Sequence, residues 1–151
     1  MITKLIEDSI NKYSEFYEIP TSLIKAIIKK ESDFNPYAVR VEKGFWTRYF
    51  VGIKNTILQT KNKRDDYWLQ YPDFISASFG LMQIMLPVAI ELDFNFQYPT
   101  ELCDSEKNIE LGCKKLSILF KKYKQWNDVI SAFNQEITGK TMMESISTRN
   151  M

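Results

Sequence analysis

Histidine is absent from all 151 residues of this sequence. Its absence excludes the usual Ser-His-Asp and Cys-His catalytic arrangements, and it excludes the HExxH zinc site. A general acid or base in this chain must therefore be Glu, Asp, Lys or Tyr. Glycoside cleavage remains possible, because that chemistry can run on carboxyl groups alone.

Several other features are also missing. The 20 basic and 19 acidic residues leave a net charge of +1, so the chain lacks the basic excess usual in nucleic-acid binders. No apolar run approaches the roughly 20 residues of a membrane helix. The phosphate-binding patterns GxxxxGK[ST] and GxGxxG do not occur. We therefore expect no nucleic-acid partner, no membrane insertion and no nucleotide site.

The N-terminus carries Glu7 and Asp8 where a signal peptide would have an uninterrupted apolar core. We therefore expect the chain to be made in the cytoplasm without a signal peptide. The two cysteines, Cys103 and Cys113, lack the spacing of metal ligands. Because cysteine packs as a small apolar residue, we expect two buried or half-buried thiols.

The spacing of apolar residues predicts a mainly α fold. Helices are predicted over residues 2–17, 22–32, 81–92 and 129–133. A further long helix begins at Asp104 or Ser105, and its apolar stripe consists of Ile109, Cys113, Leu116, Phe120 and Tyr123. Residues 40–77 are rich in aromatic side chains but show no period, which predicts an irregular insertion with one short helix near 52–60. We expect one domain over residues 1–136 and a flexible C-terminal tail over 137–151.

Four short motifs follow one another between residues 20 and 135. They are Glu31-Ser32-x-x-Asn35-Pro36-x-Ala38, then Gly80-Leu81-Met82-Gln83-Ile84-Met85, then Pro99-x-x-Leu102-x-Asp104 with Asn108-Ile109-x-x-Gly112, and finally Ala132-Phe133-Asn134. This ordered set resembles the signatures of the lytic transglycosylase domain in the lysozyme-like superfamily, which also includes goose-type lysozyme. The long segment that connects the first two motifs resembles that of a phage and prophage branch of the family. The resemblance implies a lysozyme-like helical domain.

The resemblance also implies a reaction for Glu31. This residue would cleave the MurNAc-β-1,4-GlcNAc bond of peptidoglycan glycan strands, first as an acid and then as a base, and would leave 1,6-anhydro ends. Burial beside the apolar residues of its helix suits the acid step, because apolar surroundings disfavour the charged carboxylate. One carboxyl suffices, since the substrate's own acetamido oxygen can hold the anomeric carbon. We therefore expect no cofactor and no metal.

The same resemblance implies a set of substrate-binding residues, namely Ser32, Gly80, Met82, Gln83, Met85, Phe133 and Asn134. Most of them have a structural alternative. Ser32 can cap a helix end, Gly80 can serve a positive φ or a close backbone approach, and at least one methionine can belong to the core. Asn134 can bond to the backbone of the groove. Phe133 stands where the family often has Tyr, so it can pack on a sugar but cannot donate a hydroxyl proton.

Glu42 stands eleven positions after Glu31 and is a candidate second carboxylate that could position a water molecule. The alternative for Glu42 is a surface ion pair with Arg40 or Lys43. For the whole chain, one alternative is a goose-type-lysozyme-like hydrolase of the same bond. Another is an inactive lysozyme-like structural domain of a phage assembly, because Asn134-Gln135-Glu136 departs from the family pattern. We expect action on the bacterial cell wall in the periplasm, after release or as part of a virion, with a virion or lysis-system partner.

Overall fold

The computed structural model describes residues 2–41 and 71–135, and this part of the chain is mainly helical, as predicted. In chain order the elements are α1 (Lys4–Tyr17), α2 (Thr21–Ser32), β1 (Val39–Val41), α3 (Pro72–Ile75), β2 (Ala77–Phe79), β3 (Ile84–Met85), α4 (Leu86–Glu91), a 3-10 helix (Pro99–Cys103), α5 (Ser105–Tyr123) and α6 (Trp126–Gln135). The short helix predicted near 52–60, the candidate Glu42 and the predicted tail lie outside the described residues.

α5 is the helix around which the others are arranged. α1 packs along one side of it and α6 along another. Asp104, one of the two residues predicted to start this helix, caps it. Its carboxylate accepts a hydrogen bond from the Lys107 backbone N–H at 2.9 Å. The eight buried residues of α5 are Asn108, Ile109, Leu111, Gly112, Cys113, Lys115, Leu116 and Leu119. Neither α5 nor any other helix among the described residues is long and apolar enough to cross a membrane.

The apolar stripe predicted for α5 is correct except at Phe120. Ile109, Cys113 and Leu116 are all completely buried, and Tyr123 is partly buried against the core. Phe120 is 36% exposed, and its ring stacks on that of Trp126 with 4.4 Å between the ring centroids. α6 itself extends beyond the predicted 129–133 at both ends.

Three short strands form an antiparallel sheet in the order β1-β2-β3. Val39 pairs with Phe79 and Val41 with Ala77, so the two ends of the segment predicted as an irregular insertion lie side by side. The predicted limits of 40–77 were therefore too wide. Strands and the one-turn helix α3 occupy the ends of that range. The strands form by pairing between residues distant in sequence, and strands this short show no period of apolar residues along the chain.

The helix predicted over residues 81–92 begins later than expected. Gln83 has a left-handed backbone with a φ of 53°, and Met85 is extended with a φ of −83° and a ψ of 147°. The helix therefore begins at Leu86, with Pro87 in its first turn, where proline is well tolerated. The sequence predicted too long a helix because nearly every residue between 81 and 92 is buried. A segment buried on all sides shows a continuous apolar run, from which strand and helix cannot be told apart.

Both cysteines are free thiols, as predicted. Cys113 is completely buried in α5, and Cys103 is half-buried at the end of the 3-10 helix. Burial raises the pKa of the Cys113 thiol to about 12 and also raises the pKa of Cys103. Because the thiolate is the reactive form, neither sulfur is activated for nucleophilic chemistry.

We expect iodoacetamide at pH 8 to modify Cys103 faster than Cys113 in the folded protein, because Cys113 combines complete burial with the raised pKa. In denaturant both thiols should react at similar rates. Mass spectrometry of the two cysteine-containing peptides over a time course measures both rates in one sample. Equal rates in the folded protein would contradict the buried position of Cys113.

Candidate active site

The first motif forms the end of α2 and the turn that follows it. Glu31 is the last residue but one of α2, and residues 33–34 have a left-handed backbone with φ values of 50° and 61° that ends the helix. The Ser32 carbonyl accepts a hydrogen bond from the Asn35 N–H at 3.0 Å, and the Asn35 side-chain oxygen accepts one from the Tyr37 N–H at 3.0 Å. The chain therefore reverses directly after Glu31.

Ser32 and Ala38 connect this turn to the second motif. The Ser32 hydroxyl lies 2.8 Å from the Leu81 carbonyl oxygen and 3.1 Å from a carbonyl one turn back in α2, and it can donate to either. The Ala38 carbonyl accepts from the Gly80 N–H at 2.8 Å and from the Gln83 side-chain amide at 3.1 Å. These bonds hold the end of α2 against residues 80–83. A substrate contact for Ser32 stays a prediction.

Gly80 satisfies both of the conditions that its sequence position suggested. Its φ is 78°, in the left-handed region that glycine adopts without steric cost. A Cβ at this position would meet the side-chain nitrogen of Asn108 and would lie 2.8 Å from the Leu102 carbonyl oxygen. Gly80 therefore permits a positive φ and a close approach at once. Contact between Gly80 and the substrate remains a prediction.

The Asn108 side chain, from the third motif, holds the second motif in place. It is completely buried, and its oxygen accepts a hydrogen bond from the Met82 N–H at 2.7 Å. Its amide nitrogen donates to the Phe79 carbonyl at 2.8 Å and to the Leu102 carbonyl at 2.7 Å. One turn further along α5, a Cβ at Gly112 would collide with the Met82 sulfur. Asn108 and Gly112 together therefore determine where Met82 sits.

Gln83 makes several hydrogen bonds within the protein. Its side-chain oxygen accepts from the Ser78 hydroxyl at 2.9 Å, and its amide nitrogen donates to the carbonyls of Gly80 at 2.9 Å and Ala38 at 3.1 Å. These bonds hold the Gln83 side chain against β2 and against the turn that follows β2. The structure thus gives Gln83 an internal role, while its predicted contact with a sugar stays a prediction.

Residues from α2, from the segment that runs from β2 to β3, and from α4, α5 and α6 line a pocket at Glu31. Its lining residues are Glu31, Ser78, Met82, Gln83, Met85, Val88, Lys115 and Phe133. Five of these were predicted site residues, contributed by three of the four motifs. Two further predicted site residues, Ser32 and Gly80, are not among the described lining residues; Ser32 follows Glu31 in sequence, and Gly80 stands between Ser78 and Met82. Asn134 is half-buried in α6 and is not among the described residues that line this pocket.

Glu31 is the single carboxyl among the described residues that line the pocket, and its side chain is only 6% exposed. A guanidinium nitrogen of Arg40 in β1 lies 3.7 Å from a Glu31 carboxyl oxygen, which is ion-pair distance but too long for a hydrogen bond. Arg40 is 49% exposed, so it reaches the carboxyl from the solvent side. The sequence offered an ion pair of Glu42 with Arg40 or Lys43 as one alternative, and Glu42 lies outside the described residues.

Lys115 was missed by the sequence analysis. It is only 4% exposed, it lines the pocket, and its ammonium nitrogen lies 4.1 Å from the centroid of the Phe133 ring. A signal was present in the sequence. Lys115 stands four residues after Leu111 and four before Leu119, and helical spacing places all three on one buried face. A lysine inside an apolar helix face is unusual enough to mark a candidate site.

A buried carboxyl beside apolar surface and within ion-pair distance of a cation can take part in proton transfer, because a carboxyl can give up or accept a proton and the cation can balance its charge. Within residues 2–41 and 71–135, no three Cys, Asp or Glu side chains are grouped closely enough to bind a metal ion. The arrangement therefore points to acid and base chemistry by Glu31 as the activity to test.

We expect Asn108→Ala to lower the free energy of unfolding by about 3 kcal/mol or more, because it leaves one N–H and two carbonyls buried without their partner. Chemical denaturation measures the change. Asn95→Ala, the same substitution at an exposed position, should change the free energy of unfolding by less than about 0.5 kcal/mol. Equal effects for the two variants would refute the anchoring role of Asn108.

Comparison with known proteins gives a family match. Residues 8–145 match the family described as the transglycosylase SLT domain. Comparison with curated proteins and with solved structures gave no match. The family match covers most of the chain, including every motif that builds the pocket, and it supports transglycosylase-type cleavage of cell-wall peptidoglycan. The chain belongs to the transglycosylase SLT domain family.

Proposed function

We propose that this protein cleaves the MurNAc-β-1,4-GlcNAc bond of peptidoglycan with Glu31 as both acid and base, and that it leaves 1,6-anhydro ends. The observation that carries the proposal is the position of Glu31. Its side chain is 6% exposed and faces a pocket in which, among the described lining residues, it is the single carboxyl. A two-carboxylate hydrolase would place a second acid across the bond. One carboxyl is enough for the scheme proposed here.

In the first step, the protonated Glu31 donates its proton to the oxygen between the two sugars, and the bond from that oxygen to the anomeric carbon breaks. The acetamido oxygen of the muramyl residue bonds to the anomeric carbon as the leaving sugar departs with a hydroxyl group. Met82, Met85 and Phe133 line the pocket beside Glu31 and offer apolar surface against which the two sugars can pack during this step.

In the second step, Glu31 acts as a carboxylate and takes the proton from the muramyl 6-hydroxyl. The resulting oxygen attacks the anomeric carbon and displaces the acetamido oxygen, so the ring closes and Glu31 regains its proton. No water is consumed. Arg40 suits this second state, because its guanidinium 3.7 Å from the carboxyl can balance the negative charge between the two steps.

We expect Glu31→Gln to lower the rate of peptidoglycan cleavage at least roughly 100-fold while the protein stays folded, because an amide can neither donate nor accept the required proton. The release of soluble muropeptides from purified walls measures the rate, and circular dichroism checks the fold. Glu15→Gln makes the same chemical change at an exposed position in α1 and should cleave at the wild-type rate. A folded Glu31→Gln protein with near-native activity would exclude Glu31 as the catalytic group.

The masses of the products distinguish transglycosylation from hydrolysis. We expect 1,6-anhydro ends, which are lighter than hydrolysed ends by one water, because the 6-hydroxyl of the substrate replaces water as the attacking group. Glu42→Gln should then lower the rate by less than about tenfold, since no second carboxylate has to position a water. Mass spectrometry of the muropeptides and initial rates for the variant give both results.

Two linked results would favour the goose-type-lysozyme-like mechanism instead. They are products with only reducing ends and a folded Glu42→Gln protein without activity. That combination would assign the water-positioning role to Glu42 and would leave Glu31 as the acid. Release of no fragments by the wild-type protein would favour a structural, inactive lysozyme-like domain.

A further inference from the structure

The product of the proposed reaction depends on which hydroxyl group reaches the Glu31 carboxylate. After the first step the acetamido oxygen is bonded to the anomeric carbon, and two nucleophiles can displace it. The muramyl 6-hydroxyl gives a 1,6-anhydro end, whereas water gives a reducing end. In both courses Glu31 takes the proton of the attacking group. The side chain that lies beside the Glu31 carboxyl therefore affects which product forms.

Arg40 occupies one side of that carboxyl. A guanidinium nitrogen lies 3.7 Å from a Glu31 carboxyl oxygen. A water molecule does not fit on the line between two atoms at this separation, because each of its two hydrogen bonds spans about 2.8 Å. Glu31 is 6% exposed and Arg40 is 49% exposed. The Arg40 side chain thus stands between this carboxyl oxygen and part of the solvent.

The three-stranded sheet determines the position of Arg40. Arg40 pairs with Ser78 across β1 and β2, and Ser78 pairs with Met85 across β2 and β3. Paired residues share one face of a sheet, and both Ser78 and Met85 line the pocket. The Arg40 side chain therefore lies on the pocket face of the sheet. A shift of the register by one residue would replace it there by Val39 or Val41.

We propose that Arg40 is a positioning residue that keeps water from the Glu31 carboxylate, so that the muramyl 6-hydroxyl is the group that Glu31 deprotonates. This inference rests on the proposed function. Exclusion of water from an active site protects a reactive intermediate from hydrolysis. In the favoured course the 6-oxygen bonds to the anomeric carbon as the acetamido oxygen leaves. In the competing course the oxygen of water does so, and the anomeric carbon keeps a hydroxyl group.

The ratio of reducing ends to 1,6-anhydro ends tests this inference, because it does not depend on how much active protein is present. Arg40→Ala removes the guanidinium and opens a space beside the carboxyl. We expect this variant to raise the ratio at least about tenfold above that of the wild-type protein. Mass spectrometry of the muropeptides, taken at equal extents of digestion, measures the ratio.

Two further variants show whether the effect belongs to Arg40. Arg40→Lys keeps a long cation at the same position, so its ratio should stay within about threefold of the wild-type ratio. Lys25→Ala removes a cation from α2 that is 37% exposed and pairs with Glu7 in α1 at 2.8 Å. Neither Lys25 nor Glu7 is among the described residues that line the pocket, so this variant should keep the wild-type ratio. Thermal melting checks the fold of each variant.

A competing nucleophile tests the same inference without any substitution. Wild-type digestion in dilute methanol should leave no methyl glycoside ends, because Arg40 excludes small hydroxyl compounds from the carboxylate as it excludes water. Methyl glycoside ends are heavier than reducing ends by one methylene group, so the same mass spectra reveal them. Their formation by the wild-type protein would overturn the inference even if Arg40→Ala does not fold.

Three results with the variants would also overturn it. They are an active Arg40→Ala protein with the wild-type ratio, an Arg40→Lys ratio as high as that of Arg40→Ala, and an equal rise for Lys25→Ala. Failure of the proposed function is a separate result. It appears as a wild-type protein that releases no fragments or only reducing ends, whereas these three results concern a wild-type protein that forms 1,6-anhydro ends.

Discussion

The geometry of this site depends on the side chain of Asn108, which lies at the centre of the domain and makes three hydrogen bonds to the backbone. These bonds hold β2, the turn at residues 80–82 and the end of the 3-10 helix against α5. The backbone groups involved are buried away from water, and a buried polar group without a partner is costly. One carboxamide therefore fixes two segments, residues 79–82 and the end of the 3-10 helix at Leu102, against α5.

The position of Glu31 follows from that anchor through a chain of contacts. In the turn at residues 80–83, the Leu81 carbonyl accepts a hydrogen bond from the Ser32 hydroxyl, and Gly80 and Gln83 donate hydrogen bonds to the Ala38 carbonyl. Ser32 and Ala38 lie at the two ends of the turn that follows α2. The catalytic candidate is thus held from both directions by the second motif. The first and third motifs do not need to touch each other, because each is bonded to the second. This explains in physical terms why motifs so widely spaced form one site.

One buried carboxyl and two cations lie at or beside the pocket. Arg40 is 49% exposed, and a guanidinium nitrogen lies 3.7 Å from a carboxyl oxygen of Glu31. Lys115 lines the pocket from α5, and its ammonium lies 4.1 Å from the centroid of the Phe133 ring, within the range of a cation-π interaction. The charges around Glu31 therefore come from β1 and α5, two elements far apart in sequence.

The mainly α fold, the helix from Lys4 to Tyr17, the Asp104 cap and the buried face of α2 could all be predicted from the sequence, because capping and helical period are local properties. The motifs likewise pointed to Glu31 and to four other residues of its pocket lining. The strands, the late start of α4 and the proximity of Arg40 to Glu31 could not be predicted in this way. They depend on contacts between residues distant in sequence, such as the pairing of Val39 with Phe79, and only the tertiary structure decides those.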